Sequence, residues 1–213
     1  YQRGYIYRNL ANKDVYVDPQ LGRLVQNYRT GFVRLSISHY LDKDFQKAES
    51  ALLKMEEIMP SSIIPIPSKQ LQYQIAQVYN GVGNQDQMKY HMKELVQRND
   101  LELEDYILYG KTFIQLLEDY EESKLIFETI YQNYTFIEQS IIRRGFTATK
   151  ISEKEWQDWQ KSLPEIIYLL FLSYKNLEMY DEAKILLTDW IKKNPADDNA
   201  KELLDEILQL ESS

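Results

Sequence analysis

Two histidines, His39 and His91, three tryptophans, seventeen tyrosines and no cysteine are the chemically versatile side chains of this 213-residue chain. A protein-held zinc needs three or four convergent nitrogen, sulfur or carboxylate ligands, so two histidines and no thiol leave neither a metal site nor a cofactor to expect. His39 falls at an apolar helical spacing and reads as a packed side chain rather than a ligand. Gly81, Val82 and Gly83 have the glycines of a phosphate loop without its following Lys and Ser or Thr, which makes them a turn between helices. Carboxylate neighbours such as Glu118 and Asp119 suit the solvated faces of an acidic helical chain. No local signature joins a serine, a histidine and an acid. No catalytic residue is nominated, and the chain is expected not to be an enzyme.

Trp156 and Trp159 stand apart from this background. Ser152 and Glu155 form the capping-box pattern that opens a helix, predicted over residues 153–162, with the two indoles three residues apart on one edge. Such an aromatic patch serves either to dock a short helix on its neighbours, which it needs to persist, or as a binding hot spot.

Seven glycines and six prolines among 213 residues, with 44% hydrophobic residues, leave few turns for an all-β fold. The spacing predicts helix pairs. Ile167, Leu170 and Tyr174 are followed by Tyr180, Ala183, Leu187, Trp190 and Pro195. A second copy holds Phe32, Leu35, Ser36 and His39, then Phe45, Ala48, Leu52, Met55 and Pro60. A third runs from Gln72 through Ile75, Ala76, Tyr79 and Gly83 to Met88, Met92 and Leu95. The fourth, with Ile107, Tyr109, Gly110 and Phe113 before Tyr120, Ser123, Phe127 and Ile130, fits if its turn is one residue longer. A small residue at the position of Ala48 and Ala183 lets two antiparallel helices close on each other; Met88 at that position implies a wider pair.

This pattern resembles the tetratricopeptide repeat family. The fold class expected is therefore all-α, an antiparallel helix-pair solenoid of about four repeats with a C-terminal capping helix. Repeats are placed near residues 29–60, 69–100, 104–134 and 164–195, within a domain covering 23–213 that follows an arm at 1–22. Insertions fall at residues 61–68, where prolines force an extended connection, and at 135–163. The cap covers 198–210, with Leu203, Leu204, Ile207 and Leu208 inward. The resemblance implies a groove for a protein or peptide partner on the first helices of the repeats: Val33, Ile37 and Tyr40, then Tyr73, Gln77 and Asn80, then Ile107, Lys111 and Gln115, then Tyr168, Leu172 and Lys175. Tyr73 and Gln77 stand where the family's carboxylate-clamp variant has Lys and Asn, which speaks against a chaperone co-factor role.

The formal charge of −8 hides a division. The first forty residues carry Arg3, Arg8, Lys13, Arg23, Arg29 and Arg34 against Asp14 and Asp18, while the remaining 173 hold 19 basic and 31 acidic residues. An acidic body argues against nucleic acid as a partner; the basic, tyrosine-rich start suits proximity to an anionic membrane, or is a solvated arm. Residues 7–35, through Tyr7, Arg8, Leu10, Asp14, Val15, Tyr16, Asp18, Arg23, Asn27, Tyr28, Arg29, Arg34 and Leu35, resemble the junction in bacterial polytopic membrane proteins whose membrane part is similar to protein O-mannosyltransferases. That likeness implies an extracytoplasmic, membrane-tethered domain of a longer protein, in keeping with a start at Tyr1. Any glycosyl transfer would then reside in another part of the parent, for which this chain could recognise acceptor or glycan. The longest apolar run, residues 166–172, is too short to span a bilayer, and the lack of cysteine suits periplasm and cytosol alike. A cytosolic adaptor is the remaining alternative.

Overall fold

Short polar side chains mark where the helices begin. Asp18, Asp44, Ser68, Asn84 and Asp119 each accept a hydrogen bond from a backbone N–H two or three residues on, satisfying donors that no helical carbonyl can reach. A computed structural model describes residues 10–14, 18–149 and 151–211; Arg3 and Arg8 of the expected arm, and Tyr7, Val15 and Tyr16 of the junction-like segment, lie outside the described residues. Among the described residues the protein is all-α, with nine α-helices and one 3₁₀ turn, and none of these helices is long and apolar enough to cross a membrane. The chain divides into two compact units, Tyr1–Arg98 and Asn99–Ser213.

The first unit holds α1 (Pro19–Leu41), α2 (Phe45–Ile58), α3 (Lys69–Gly81) and α4 (Gln85–Val96). α1 packs on α2, α3 packs on α4, and the two first helices, α1 and α3, touch each other. Ala48, Leu52 and Met55 of α2 and Met88, Met92 and Leu95 of α4 are fully buried, at the intervals of three and four that put residues on one helical face. Met88 is thus accommodated at the small-residue position, fully buried, as is the small Ala76 on the first helix of the same hairpin.

Residues 61–68 form an ordered connector. Ile64 and Ile66 are buried. Residues 61–64 form a turn, with the N–H groups of Ile63 and Ile64 on Pro60 O, and not the extended run expected of 61–68. A proline-bearing connector outside regular helix leaves carbonyls that need donors from elsewhere. Two arginines supply them. Arg29 Nη2 donates to the carbonyls of Met59 (2.8 Å) and Ile64 (2.7 Å). Arg98 donates from Nη1 to Ile66 O and from Nη2 to Pro67 O, each at 2.8 Å. Arg29, counted above with the basic start, is fully buried; its charge is turned into the first unit rather than toward a surface. Burial holds its guanidinium below the ordinary arginine range, with Glu56 opposing that effect.

The second unit holds α5 (Leu103–Gln115), α6 (Tyr120–Arg144), the 3₁₀ turn Phe146–Ala148, α7 (Glu153–Asn176), α8 (Tyr180–Lys193) and α9 (Asp198–Glu211). Each helix packs on the next in sequence, and α5 also touches α7. Two expectations are corrected here. The 135–163 insertion is no separate short helix: it lengthens α6 to 25 residues and α7 to 24. The helix opened by Ser152 and Glu155 runs on through Pro164. A proline inside a helix removes one backbone hydrogen bond, but Pro164 is exposed, so water can reach the carbonyl left over. Trp156, Leu163, Ile167, Leu170 and Tyr174 meanwhile continue one buried stripe across it. At the C-terminal cap, Ile207 is fully buried while Leu208, expected inward, is 47% exposed; adjacent helical residues lie 100° apart and cannot share a narrow contact with α8.

One backbone device recurs at all four hairpin turns. Lys43 (φ 61°), Gly83 (φ 84°), Glu118 (φ 49°) and Glu178 (φ 59°) are left-handed, each immediately before the residue that precedes the second helix. The N–H of that following residue returns to the first helix: Asp44 to His39 O, Asn84 to Tyr79 O and Met179 to Tyr174 O, each at 2.9 Å. In the α5–α6 turn Asp119 N–H reaches one residue further back, to Phe113 O at 2.9 Å, which is the extra residue that the spacing of Gly110 and Ser123 requires.

Candidate functional site

The residues nominated for a partner groove separate into three kinds. Val33 and Ile107 are buried and belong to the cores of their units. In the first unit, Tyr40 is 36% exposed, Gln77 is exposed, and Tyr73 and Asn80 are half-buried. The Tyr40 ring lies over Gly81, where a side-chain carbon would come within 2.5 Å of it, and tilts against Phe45 at 5.5 Å. Asn80 Oδ1 accepts from Gln85 Nε2 at 3.1 Å. In the second unit, Gln115 and Tyr168 are exposed, whereas the two lysines are engaged: Lys111 pairs with Glu165 of α7 and Lys175 with Glu206 of α9, both at 2.5 Å.

His39 is half-buried, not a core side chain. His91 is the fully buried histidine, because the face that the repeat spacing assigns to α4 turns inward at residues 88, 91, 92 and 95.

The tryptophan pair is split by its surroundings. Trp156 is 8% exposed and stacks on Tyr134 of α6, with centroids 4.8 Å apart and planes 18° from parallel. Trp159 meets the same phenol at 6.5 Å and remains half-buried. Its outer side walls a cavity of about 330 Å³ with Leu103 and Ile151, rimmed by Glu102, Glu104, Glu155 and Asp158. Glu155 accepts the backbone N–H of Ser152 at 2.7 Å and Ser152 Oγ accepts the N–H of Glu155 at 3.2 Å; the serine holds the Glu155 carboxyl below the usual carboxylate range. Asp158 lies 3.6 Å from Lys161. An indole face beside several carboxylates suits a cationic, planar or alkyl-ammonium group, which gains from both the ring quadrupole and the negative rim.

The cavity was missed because Glu102 and Glu104 open α5 while Glu155, Asp158 and Trp159 open α7, so folding joins residues distant in sequence. The one signal for it is that both helices begin with acids, but acids are ordinary at helix starts. Among the described residues no group of three or more His, Cys, Asp or Glu side chains is arranged to hold a metal ion. Set beside protein-family models, curated proteins and solved structures, the chain matches none of them.

Proposed function

We propose that this protein is a non-catalytic interaction module of tetratricopeptide-like helix pairs that captures a protein or peptide segment. The repeat reading draws support from the four left-handed turns, from Ala48 and Ala183 fully buried at equivalent places, and from contact between successive first helices within each unit. The binding reading rests on one observation above the rest: Trp159 leaves part of its indole beside an acid-rimmed cavity while its neighbour Trp156 is spent on packing. Tyr40, Gln77, Gln115 and Tyr168 add exposed aromatic and amide groups on first helices.

A photo-crosslinking amino acid placed at Gln77, Gln115 or Trp159 tests the proposal against controls at Lys54 and Lys192, exposed residues of α2 and α8. One partner crosslinked from the first-helix positions and not from the controls supports it; equal labelling everywhere removes it. A second reading, recognition of acceptor or glycan for a glycosyltransferase-like membrane enzyme, draws on the resemblance of residues 7–35 and on the same Trp159 face. Saturable binding of a neutral mannoside, lost in Trp159→Ala, would favour that reading.

A further inference from the structure

Four polar residues, one from each helix of the first unit, form an electrostatically linked ring, with Arg29, Tyr79 and His91 fully buried and Glu56 half-buried. Tyr79 of α3 and His91 of α4 are in ring contact, while the charge of Glu56 of α2 acts on Arg29 of α1 and on Tyr79, and the charge of Arg29 acts on His91. Tyr79 stacks on the His91 ring at 5.5 Å and 15°, and Tyr90 meets it edge-on at 5.2 Å. His91 is fully buried, and neither ring nitrogen has a hydrogen-bond partner. The ring also grips the connector. Arg29 holds the carbonyls of Met59 and Ile64, Glu56 Oε2 accepts the N–H of Ser61 at 3.0 Å, and Tyr90 OH meets Ser61 Oγ at 3.2 Å.

We propose that this ring is an acid-sensitive latch: a proton taken up by the His91 imidazole releases the 61–68 connector and opens the first unit, while the second unit stays folded.

The reason lies in what faces the imidazole. From α1 comes the Arg29 cation, from α3 the Tyr79 ring and from α4 itself the Tyr90 ring; Glu56 of α2, with Glu49, acts on Tyr79 rather than on the histidine. A proton on His91 therefore creates a second buried positive charge with no acceptor, beside a guanidinium already in place. Burial first, and Arg29 second, push the His91 pKa down to about 4. The unfolded ring binds its proton near 6.5. Stability is thus full above about 6.5 and is lost progressively as pH falls toward 4. Opening carries Met59, Ile64 and Ile66, all buried at neutral pH, toward solvent.

All three tryptophans, Trp156, Trp159 and Trp190, belong to the second unit, so their emission reports that unit alone. In an acid titration of the full chain, far-ultraviolet circular dichroism should lose helix between about pH 6 and 4 before tryptophan emission changes. His91→Phe keeps the stacked ring without its basic nitrogens, and should move that first transition down by about one pH unit or more. An unmoved transition in H91F, or dichroism and tryptophan emission changing together, overturns the proposal. Proton NMR of the unsubstituted protein gives a reading that needs no variant. The His91 ring should show no titration while the first unit remains folded, and a midpoint near its ordinary 6.5 in the folded state would equally overturn the latch.

Discussion

The indole of Trp156 lies flat on the phenol of Tyr134, 4.8 Å between ring centroids, and this contact ties the two long helices of the second unit where the insertion lengthens them. Burial raises the Tyr134 hydroxyl above its ordinary range, with Glu138 adding to the effect. Trp156→Ala should cost about 3 kcal/mol through the cavity it leaves, and Trp159→Ala, which removes a half-exposed ring, less than about 1.5 kcal/mol. Urea unfolding followed by far-ultraviolet circular dichroism, which does not depend on which indoles remain, separates the two.

Three of the four hairpin turns place a residue with a side chain in the left-handed region. Lys43→Gly, Glu118→Gly and Glu178→Gly should each stabilise by roughly 0.5–1 kcal/mol, since glycine removes the clash between Cβ and the following carbonyl. Gly83→Ala should act in the opposite sense by a similar amount. Thermal melts of the four single variants are sufficient to check the signs.

Gly81 and Gly110 are tight for different reasons. A Cβ on Gly110 would sit 2.5 Å from the ring of Phe127, which is fully buried and cannot move aside. A Cβ on Gly81 would meet the outer end of the half-open Tyr40 ring, which can swing into solvent. Gly110→Ala should therefore cost about 2 kcal/mol, and Gly81→Ala under about 1 kcal/mol, measured by chemical denaturation.

Replacing Arg29 leaves the carbonyls of Met59 and Ile64 without that donor. Arg29→Met should destabilise the first unit by about 3 kcal/mol. Arg29→Lys should rescue it only in part, because a single ammonium cannot reproduce the planar fork that spans Gln26, Met59 and Ile64. Amide exchange at Ile64 is the local readout.

The helices and their inward faces were readable because Ala48, Leu52 and Met55, or Ala183, Leu187 and Trp190, repeat at helical intervals that burial then enforces. What escaped depends on distance along the chain. Arg29 looks like any surface arginine until the connector some thirty residues away brings it bare carbonyls. Pro164 looks like a boundary because local propensity says so, yet the apolar stripe on either side overrides one lost hydrogen bond. The acids around Trp159 come from the starts of two helices that only meet after folding. Lys43, Glu118 and Glu178 carry no hint of a left-handed backbone in their side chains; the length of each turn imposes it.

The lengthened hairpin has a mechanical consequence. A helix of 25 residues spans about 37 Å, whereas the 13 residues of α5 span about 20 Å. The far end of α6 therefore overhangs its shorter neighbour, and it is there that Phe136 and Ile142 stand 73% and 76% exposed. The overhang is held along its length by the Tyr134–Trp156 stack and by Glu138, whose Oε2 accepts from Lys193 Nζ of α8 at 2.7 Å. Only its tip near Gly145 can therefore host a grafted loop without disturbing these contacts or the base of the unit, where Ser123 Oγ and Ser173 Oγ meet at 3.0 Å. The extra turns are thus a braced lever: they carry the Trp159 face beyond the end of α5 while α8 holds them through Lys193.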